Sequence, residues 1–547
     1  MEPVAQPPDA GKHQLFRSAG VVSAAVALSR ITGLVREMVM ARLFGAGQVY
    51  DAFLLGFRVP NLTRDLFAEG ALSSAFVPVF TDHLVKQGKR EAERLFDVVG
   101  TVLIAVVGLF VAAGALFTPE LVRLLAPGFE RVPGKFELAV TLTRTMFPFL
   151  VLVALAAQAM GVLNACGRFG VPALSSTAFN LGSVAFGLAF GFTAGRWLGV
   201  SLIQSMALGV VFGGAMQLLS QVPSLVREGF VFRPVLDLSH PGLRRVLSLM
   251  GPAILGNAAV QINVLVNTNF ASTITDSAGH VIDGPVSWLG YAFRFMQLPM
   301  GIFGVAMASA TLPAVSRAAA AGRVDEFRNI LAHSLGMVFL LTIPSSVGLA
   351  VLGESMIGAV YQGGRFQAYD TRQTALALTC YAVGLAGYAA VKILAPAFYA
   401  LNDARTPMLV SAASIAVNFA AAAGMVKAAG FGHAGLALST SVVGLFGFAA
   451  LLALLRARIG GINGRTLAAG ALKVAAASAV MGLACLASSR SIRHLLGSGR
   501  PGQLADVALS IPLGAAVFWL MARRLRIADL EAAEAALTAI LARRSRT

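Results

Sequence analysis

Residues 29–80 read SRITGLVREMVMARLFGAGQVYDAFLLGFRVPNLTRDLFAEGALSSAFVPVF. Apolar runs in this stretch are broken by Arg30, Arg36, Arg42, Arg58 and Arg64, with Glu37, Asp51 and Glu69 among them. An arginine at the middle of a membrane helix costs about 2.5–3.5 kcal/mol on insertion scales, so it is kept where it meets a partner, a wet cavity or an anionic ligand. Asp65 adjoins Arg64, and the acids of the stretch, four against five arginines, leave a surplus of positive charge. The stretch therefore reads as one wall of a cationic, water-filled cavity inside a membrane transporter. Arg42, at the end of its apolar run, reads instead as snorkelling to the interface.

Composition supports the membrane reading. The chain has 547 residues, 57% of them apolar and only 13% charged, against roughly 25% charged in an ordinary soluble domain. Apolar runs of bilayer-spanning length recur from residue 18 to residue 524, and short alternating strand-like segments are not evident. The fold class expected is an all-α polytopic membrane protein with fourteen transmembrane helices. The net charge of +17 sits mostly in the loops, where the positive-inside rule and anionic headgroups account for it without nucleic acid. Lys86, Lys89, Arg90 and Arg94 fall on one side, whereas the 271–285 loop has Asp276 and Asp283 and no Lys or Arg. Both termini are accordingly expected in the cytoplasm.

A shift of about 235 residues aligns several short motifs, as internal repeats in transporters do. Gly56-Phe57-Arg58 falls near Ala292-Phe293-Arg294, and Ser74–Pro78 falls on Ser309–Pro313. The turns before Pro172 and Pro407 correspond, and Asn180 and Asn418 follow them. Two pseudo-symmetric six-helix lobes with a ligand path between them follow, plus two extra C-terminal helices. The expected division is a cytoplasmic tail over 1–17, an N-lobe over 18–235, a C-lobe over 236–462, a helix pair over 463–526 and a cytoplasmic amphipathic helix over 527–547. Gly187 and Gly191, like Gly209 and Gly213, have the spacing that lets helix backbones approach. Pro60, Pro78, Pro299, Pro313 and Pro396 fall inside apolar runs, and Pro60 and Pro299 each follow an Arg at matching places, a pointer to a substrate site.

Two further cations stand out. Arg294 lies among Tyr291, Phe293, Phe295 and Met296 with no acid along its own helix, and Lys392 lies between Tyr388 and Pro396. Arginine suits bidentate contact with phosphate, so the expected ligand is an anion bearing a phosphate or pyrophosphate. Catalytic signals are missing: there is no Gly-rich phosphate loop ending in Lys-Ser/Thr, the seven histidines are scattered, and Cys166, Cys380 and Cys485 lack metal-ligand spacing. Neither an enzyme, a cofactor nor a metal site is expected.

At these residues the chain resembles the MurJ (MviN) family of bacterial lipid II flippases, in the superfamily that also holds the MATE exporters. The likeness is carried by Ser29–Arg36, Asp51-Ala52-Phe53, Arg58–Arg64, Phe67–Ala71, Gln297-Leu298-Pro299 with Gly304-Val305-Ala306, and Pro396–Ala400. It implies transfer of an undecaprenyl-pyrophosphate-linked disaccharide-pentapeptide from the inner to the outer leaflet by alternating access, for peptidoglycan synthesis and cell shape. It also implies functional roles for Arg30, Arg36, Arg64 and Arg294, and for Asp51 and Glu69, with the extra helix pair forming a groove for the lipid tail. Arg58 and Lys392 join the candidate substrate-binding set on their own placement. Partners implied are lipid II, membrane lipids and, as further candidates, cell-wall synthesis proteins. Phe293 stands where an Asp often precedes the eighth-helix Arg, and Asn267 lies where some relatives carry an acid, which separates the chain from ion-coupled relatives. The alternative is a cation-coupled exporter of small molecules like the MATE proteins.

Overall fold

The computed structural model describes residues 8–63, 72–462 and 464–544. Helix dominates throughout, and the only strand-like pairings among the described residues are two isolated bridges, Thr275 with Val281 and Gly363 with Phe366. Among the described residues, eleven helices are long and apolar enough to cross a bilayer by length and composition. The all-helical, multi-pass expectation holds at that level.

The chain divides into two compact units, residues 1–261 and 262–547. The first contains α1 (Pro8–Phe44), α2 (Gln48–Thr63), α3 (Ser73–Lys86) and α4 (Lys89–Leu116). It continues with α5 (Lys135–Ala165), α6 (Gly170–Phe192) and α7 (Leu202–Arg227). The division between the units falls within α8 (Pro241–Ser272). α1 begins at Pro8, so part of the expected polar tail is helical. In the first unit, α6 and α7 pack with their backbones close together. A Cβ at Gly209 would strike the Ser183 carbonyl, one at Gly213 would come within 2.7 Å of the Phe179 carbonyl, and one at Gly187 within 2.6 Å of Met206 Sδ. The glycine spacing seen in the sequence thus serves helix packing. Ser201 opens α7 with a reciprocal capping box to Gln204.

The second unit holds α9 (Pro285–Ala320), α10 (Val324–Tyr361), α11 (Ala368–Ala400), α12 (Arg405–Ala428), α13 (Gly432–Ile459), α14 (Gly464–Leu496) and α15 (Arg500–Arg524). It ends with α16 (Ala528–Arg544). α9 passes through a π-helical turn, Met300–Gly304, directly after Pro299. A proline that cannot donate to the helix ladder and a widened turn beside it are a common pairing of cause and effect. Its core groups Phe327, Leu331, Leu335 and Val338 of α10 with Ile393, Leu394 and Phe398 of α11 and Leu455 of α13. α11 and α13 meet through small residues, a Cβ at Gly387 falling 2.8 Å from the Gly444 carbonyl.

Polar clasps fix the last helices. Asp506 of α15 is fully buried and accepts hydrogen bonds from Ser355 of α10 at 2.5 Å, Ser489 of α14 at 2.6 Å and Ser510 at 2.7 Å. α16 is held by Glu534, which takes hydrogen bonds from Trp519 at 2.6 Å and from Arg523 Nη2 at 2.9 Å. Asp529 lies 3.3 Å from His333 and sits against Gly336, where a side chain would displace it. The C-terminal helix expected from the apolar stripe therefore packs on α10 and α15.

The internal repeat has a structural counterpart at its asparagines. Asn180 of α6 donates to the Ser29 carbonyl of α1 at 3.2 Å. Asn418 of α12 donates to Asn267 Oδ1 of α8 at 3.0 Å and to the Asn263 carbonyl at 3.3 Å. In each unit the asparagine stitches the fifth helix of a repeat to the first.

Candidate functional site

The candidate residues separate by their surroundings. Arg30 is exposed on α1, one residue beyond the Ser29 carbonyl that Asn180 ties down. Among the described residues it forms no ion pair. Arg36 is half-buried, its guanidinium 5.6 Å from the Phe57 ring and 5.3 Å from the Phe179 ring. Two aromatic faces hold a guanidinium by cation–π attraction and by stacking, leaving its in-plane N–H groups aimed elsewhere. Glu37 is buried and Arg58 half-buried. Arg64 and Glu69 lie outside the described residues.

Asp51 meets a cation within the protein. Its carboxylate lies 3.0 Å from Lys135 Nζ, and both side chains are only 1% exposed. The ammonium also sits 4.3 Å from the Phe129 ring centroid. Asp51 opens α2 and Lys135 opens α5, so the pair pins two helix starts together. A desolvated pair of this kind is costly to break from either side. The expected substrate contact of Asp51 thus has a buried ion pair beside it. Sequence reasoning missed Lys135, whose signal was a single Lys entering the apolar run that begins at Phe136.

In the second unit, Arg294 is exposed on α9, one turn before Pro299 and the π-helical turn. Lys392 of α11 is half-buried, its Cδ 3.5 Å from where a Gly304 Cβ would lie. Among the described residues Lys392 has no carboxylate partner. Gly304 thus gives the lysine stem room beside the π-turn, and the two cations flank one irregular segment of α9. The aromatic residues around them are mutually packed: Phe293 meets Tyr381 at 5.5 Å, and Tyr291 meets Tyr361 at 4.6 Å. Trp288 donates to the buried Asp370 at 3.0 Å, a structural contact that the sequence did not disclose.

A second polar cluster lies on α8, α12 and α13. Asn263 donates to Ser414 at 3.1 Å, Asn267 donates to Thr440 at 2.8 Å, and Ser439 donates to Asn418 Oδ1 at 3.2 Å. These members are amides and hydroxyls. They bond to one another, leaving Asn263 Oδ1 buried without a hydrogen-bond partner among the described residues, and carry no fixed negative charge. Among the described residues, no group of three or more His, Cys, Asp or Glu is placed to hold a metal ion.

The fold is one found in solved multi-pass transporters. The chain superposes on a MATE-family multidrug transporter in an inward-facing conformation with a TM-score of 0.67 at 14% identity, covering 80% of this chain and 95% of the other. It superposes on a lipid II flippase MurJ in an inward closed conformation with a TM-score of 0.73 at 24% identity, covering 92% and 99%. The profile of the family described as "Lipid II flippase MurJ" matches residues 40–499, and the chain belongs to that family. It is 37% identical to the lipid II flippase MurJ of Burkholderia cenocepacia over 432 residues, 78% of this chain and 81% of that one. It is 32% identical to the probable lipid II flippase MurJ of Vibrio cholerae over 448 residues, 80% and 82% of the two chains.

Proposed function

We propose that the protein flips lipid II, the undecaprenyl-pyrophosphate-linked peptidoglycan precursor, from the inner to the outer leaflet of the bacterial cytoplasmic membrane. The observation that carries this reading is the exposure of Arg30 and Arg294 on membrane helices of a chain that belongs to the flippase family. In an apolar solvent an exposed guanidinium is stable only against water or an anion, and a pyrophosphate matches its forked donors. Arg36, Arg58, Arg64 and Lys392 complete the cationic surface, with Glu69 tuning it.

The proposed cycle is alternating access. The pyrophosphate binds the arginines from the cytoplasmic face while the polyprenyl tail stays in lipid, beside α14 and α15. A change of conformation then opens the cationic cavity to the outer face. Direction requires a ligand, ion or potential that stabilises one state more than the other. No covalent bond is made or broken, so the protein acts as a transporter. With α1, the α2–α3 segment and α8 read as spans beside the eleven apolar helices, the proposed topology has fourteen spans, and the positive-inside rule sets both termini on the cytoplasmic side. Lipid II and the surrounding lipids are the expected partners, and cell-wall synthesis proteins are further candidates.

A cation-coupled exporter of the MATE type has the fold in its favour. The cluster around Asn267 and Asn418 weighs against it, because amides offer a cation no charge to bind. Binding separates the two readings. Purified protein in nanodiscs should bind lipid II at least about tenfold more tightly than the same glycolipid lacking the pyrophosphate, the size expected from one lost charge-assisted contact. Equal binding of the two lipids would remove the pyrophosphate from the account.

A further inference from the structure

A crevice in the first unit is lined by none of the residues assigned to transport. It has a volume of about 210 Å³ and is bounded by Ile104 of α4, Leu155 and Ala159 of α5, and Val222 of α7. The non-helical segment Phe230-Val231-Phe232 closes one side. The one polar residue in its wall, Gln158, spends its amide on the Phe96 carbonyl at 2.8 Å. The interior is therefore a surface for hydrocarbon.

The closing segment is irregular backbone beside a membrane helix, and its donors must be met locally. Phe230 N–H donates to the Leu225 carbonyl at 2.9 Å, and just past the segment Arg233 N–H donates to the Asp97 carboxylate at 2.8 Å and Val235 N–H to Thr101 Oγ1 at 2.9 Å. Phe232 fits against Gly100, where a Cβ would come within 2.7 Å of the ring. With the strap pinned in this way, its other side chains face outward, Val231 being 55% and Leu236 70% exposed. Such a strap suits the boundary between headgroups and acyl chains.

The rim of the crevice is cationic. Lys89 Nζ lies 5.9 Å from the Phe230 ring, and Arg227 and Arg233, both exposed, follow the lining residues Val226 and Phe232 in sequence. Of the nearby acids, Glu228 is taken by Arg168 at 2.7 Å and Asp97 accepts the Arg233 backbone N–H. Among the described residues, Lys89, Arg227 and Arg233 form no ion pair. An apolar slot opening on lipid beneath uncompensated cations has the two-part chemistry of a lipid anion.

We infer that this crevice binds an anionic glycerophospholipid, with one acyl chain between α4, α5 and α7 and the phosphate at Lys89, Arg227 and Arg233. The site stands independently of the transport reading. It also gives the strap a role: the lipid chain completes the packing against Phe230 and Phe232.

Photolabelling of the full-length protein tests this. Nanodiscs of phosphatidylcholine would carry phosphatidylglycerol with a diazirine near the end of one acyl chain, and labelled peptides would be mapped by mass spectrometry. Labelling at Ile104, Leu155 and Val222 should saturate with probe and fall when unlabelled phosphatidylglycerol is added. A phosphatidylcholine probe should label these positions more weakly, by about fivefold for each cation engaged. Lys89→Gln with Arg233→Gln should abolish that preference. Ala159→Phe, which fills the slot, should lower labelling there and leave the outer face of α4 at Leu109 and Phe110 unchanged. Labelling that rises linearly with probe, or that is equal for the two headgroups in the wild-type protein, overturns the site whatever the variants do.

Discussion

Arg30 and Asp51 show how differently two charged residues of one motif can be used. Arg30 stays exposed, whereas Asp51 is sealed against Lys135. Removing one partner of such a pair leaves an uncompensated charge in low dielectric, at a cost of about 3–5 kcal/mol. Lys135→Met alone should therefore lower the midpoint of chemical denaturation in micelles sharply, and Asp51→Asn with Lys135→Met should restore most of it. A Lys135→Met variant as stable as the parent would show that the pair is not structural. The sequence disclosed the surplus of arginine because Arg, Asp and Glu can be counted along one helix. It did not disclose the partner of Asp51, which comes from a helix start 84 residues away. The same holds for Asp506, whose three serine partners lie on three helices. A single Asp in an apolar run signals an internal contact, but periodicity does not say with what.

Helices were the most legible level, since eleven of the fourteen expected apolar spans reappear among the described residues as helices long and apolar enough to cross a bilayer. Small residues were legible for the same reason: their spacing marks one helix face. Gly209→Leu should force α6 and α7 apart and cost about 1–3 kcal/mol of stability, the usual range for overpacking. Gly108→Leu on α4, with nothing within 4 Å of its Cβ, should be neutral by the same thermal assay; equal losses would remove the packing argument. The π-helical turn after Pro299 was legible only as a proline in an apolar run. α16 offers a titration test. Burial holds the Asp529 carboxyl above its ordinary range, and His333 pulls the other way. Below the ordinary carboxylate pKa, docked and released helix are both protonated and the penalty for burial is absent. As the pH rises through the raised value, the docked helix must bury a charge that the released helix gives to water, so docking weakens. Amide exchange over 528–544, corrected for intrinsic rates, should speed up as the pH rises above the ordinary carboxylate pKa of about 4. Asp529→Asn should remove most of that change, and an unchanged profile in the variant would show that another group controls docking.

At the scale of the molecule, the repeat offset read from short motifs has its clearest counterpart in Asn180 and Asn418, each bound to the first helix of its own repeat. Fold and family follow from patterns spread along the whole chain, which is why they were readable before any coordinates. The binding surface is harder to read because it depends on which face of each helix an arginine occupies, and a few tens of degrees decide between lipid, water and protein. The central claim is that exposed guanidinium groups receive the pyrophosphate of lipid II. Its most direct measurement is the rate at which lipid II in proteoliposomes becomes accessible to an external reagent, for the parent, Arg30→Ala and Arg294→Ala, with folding checked by size-exclusion profile. The account predicts that each substitution slows transfer by at least about tenfold, as loss of one charge-assisted contact in the rate-determining state implies. Transfer at the parental rate by both folded variants would contradict it.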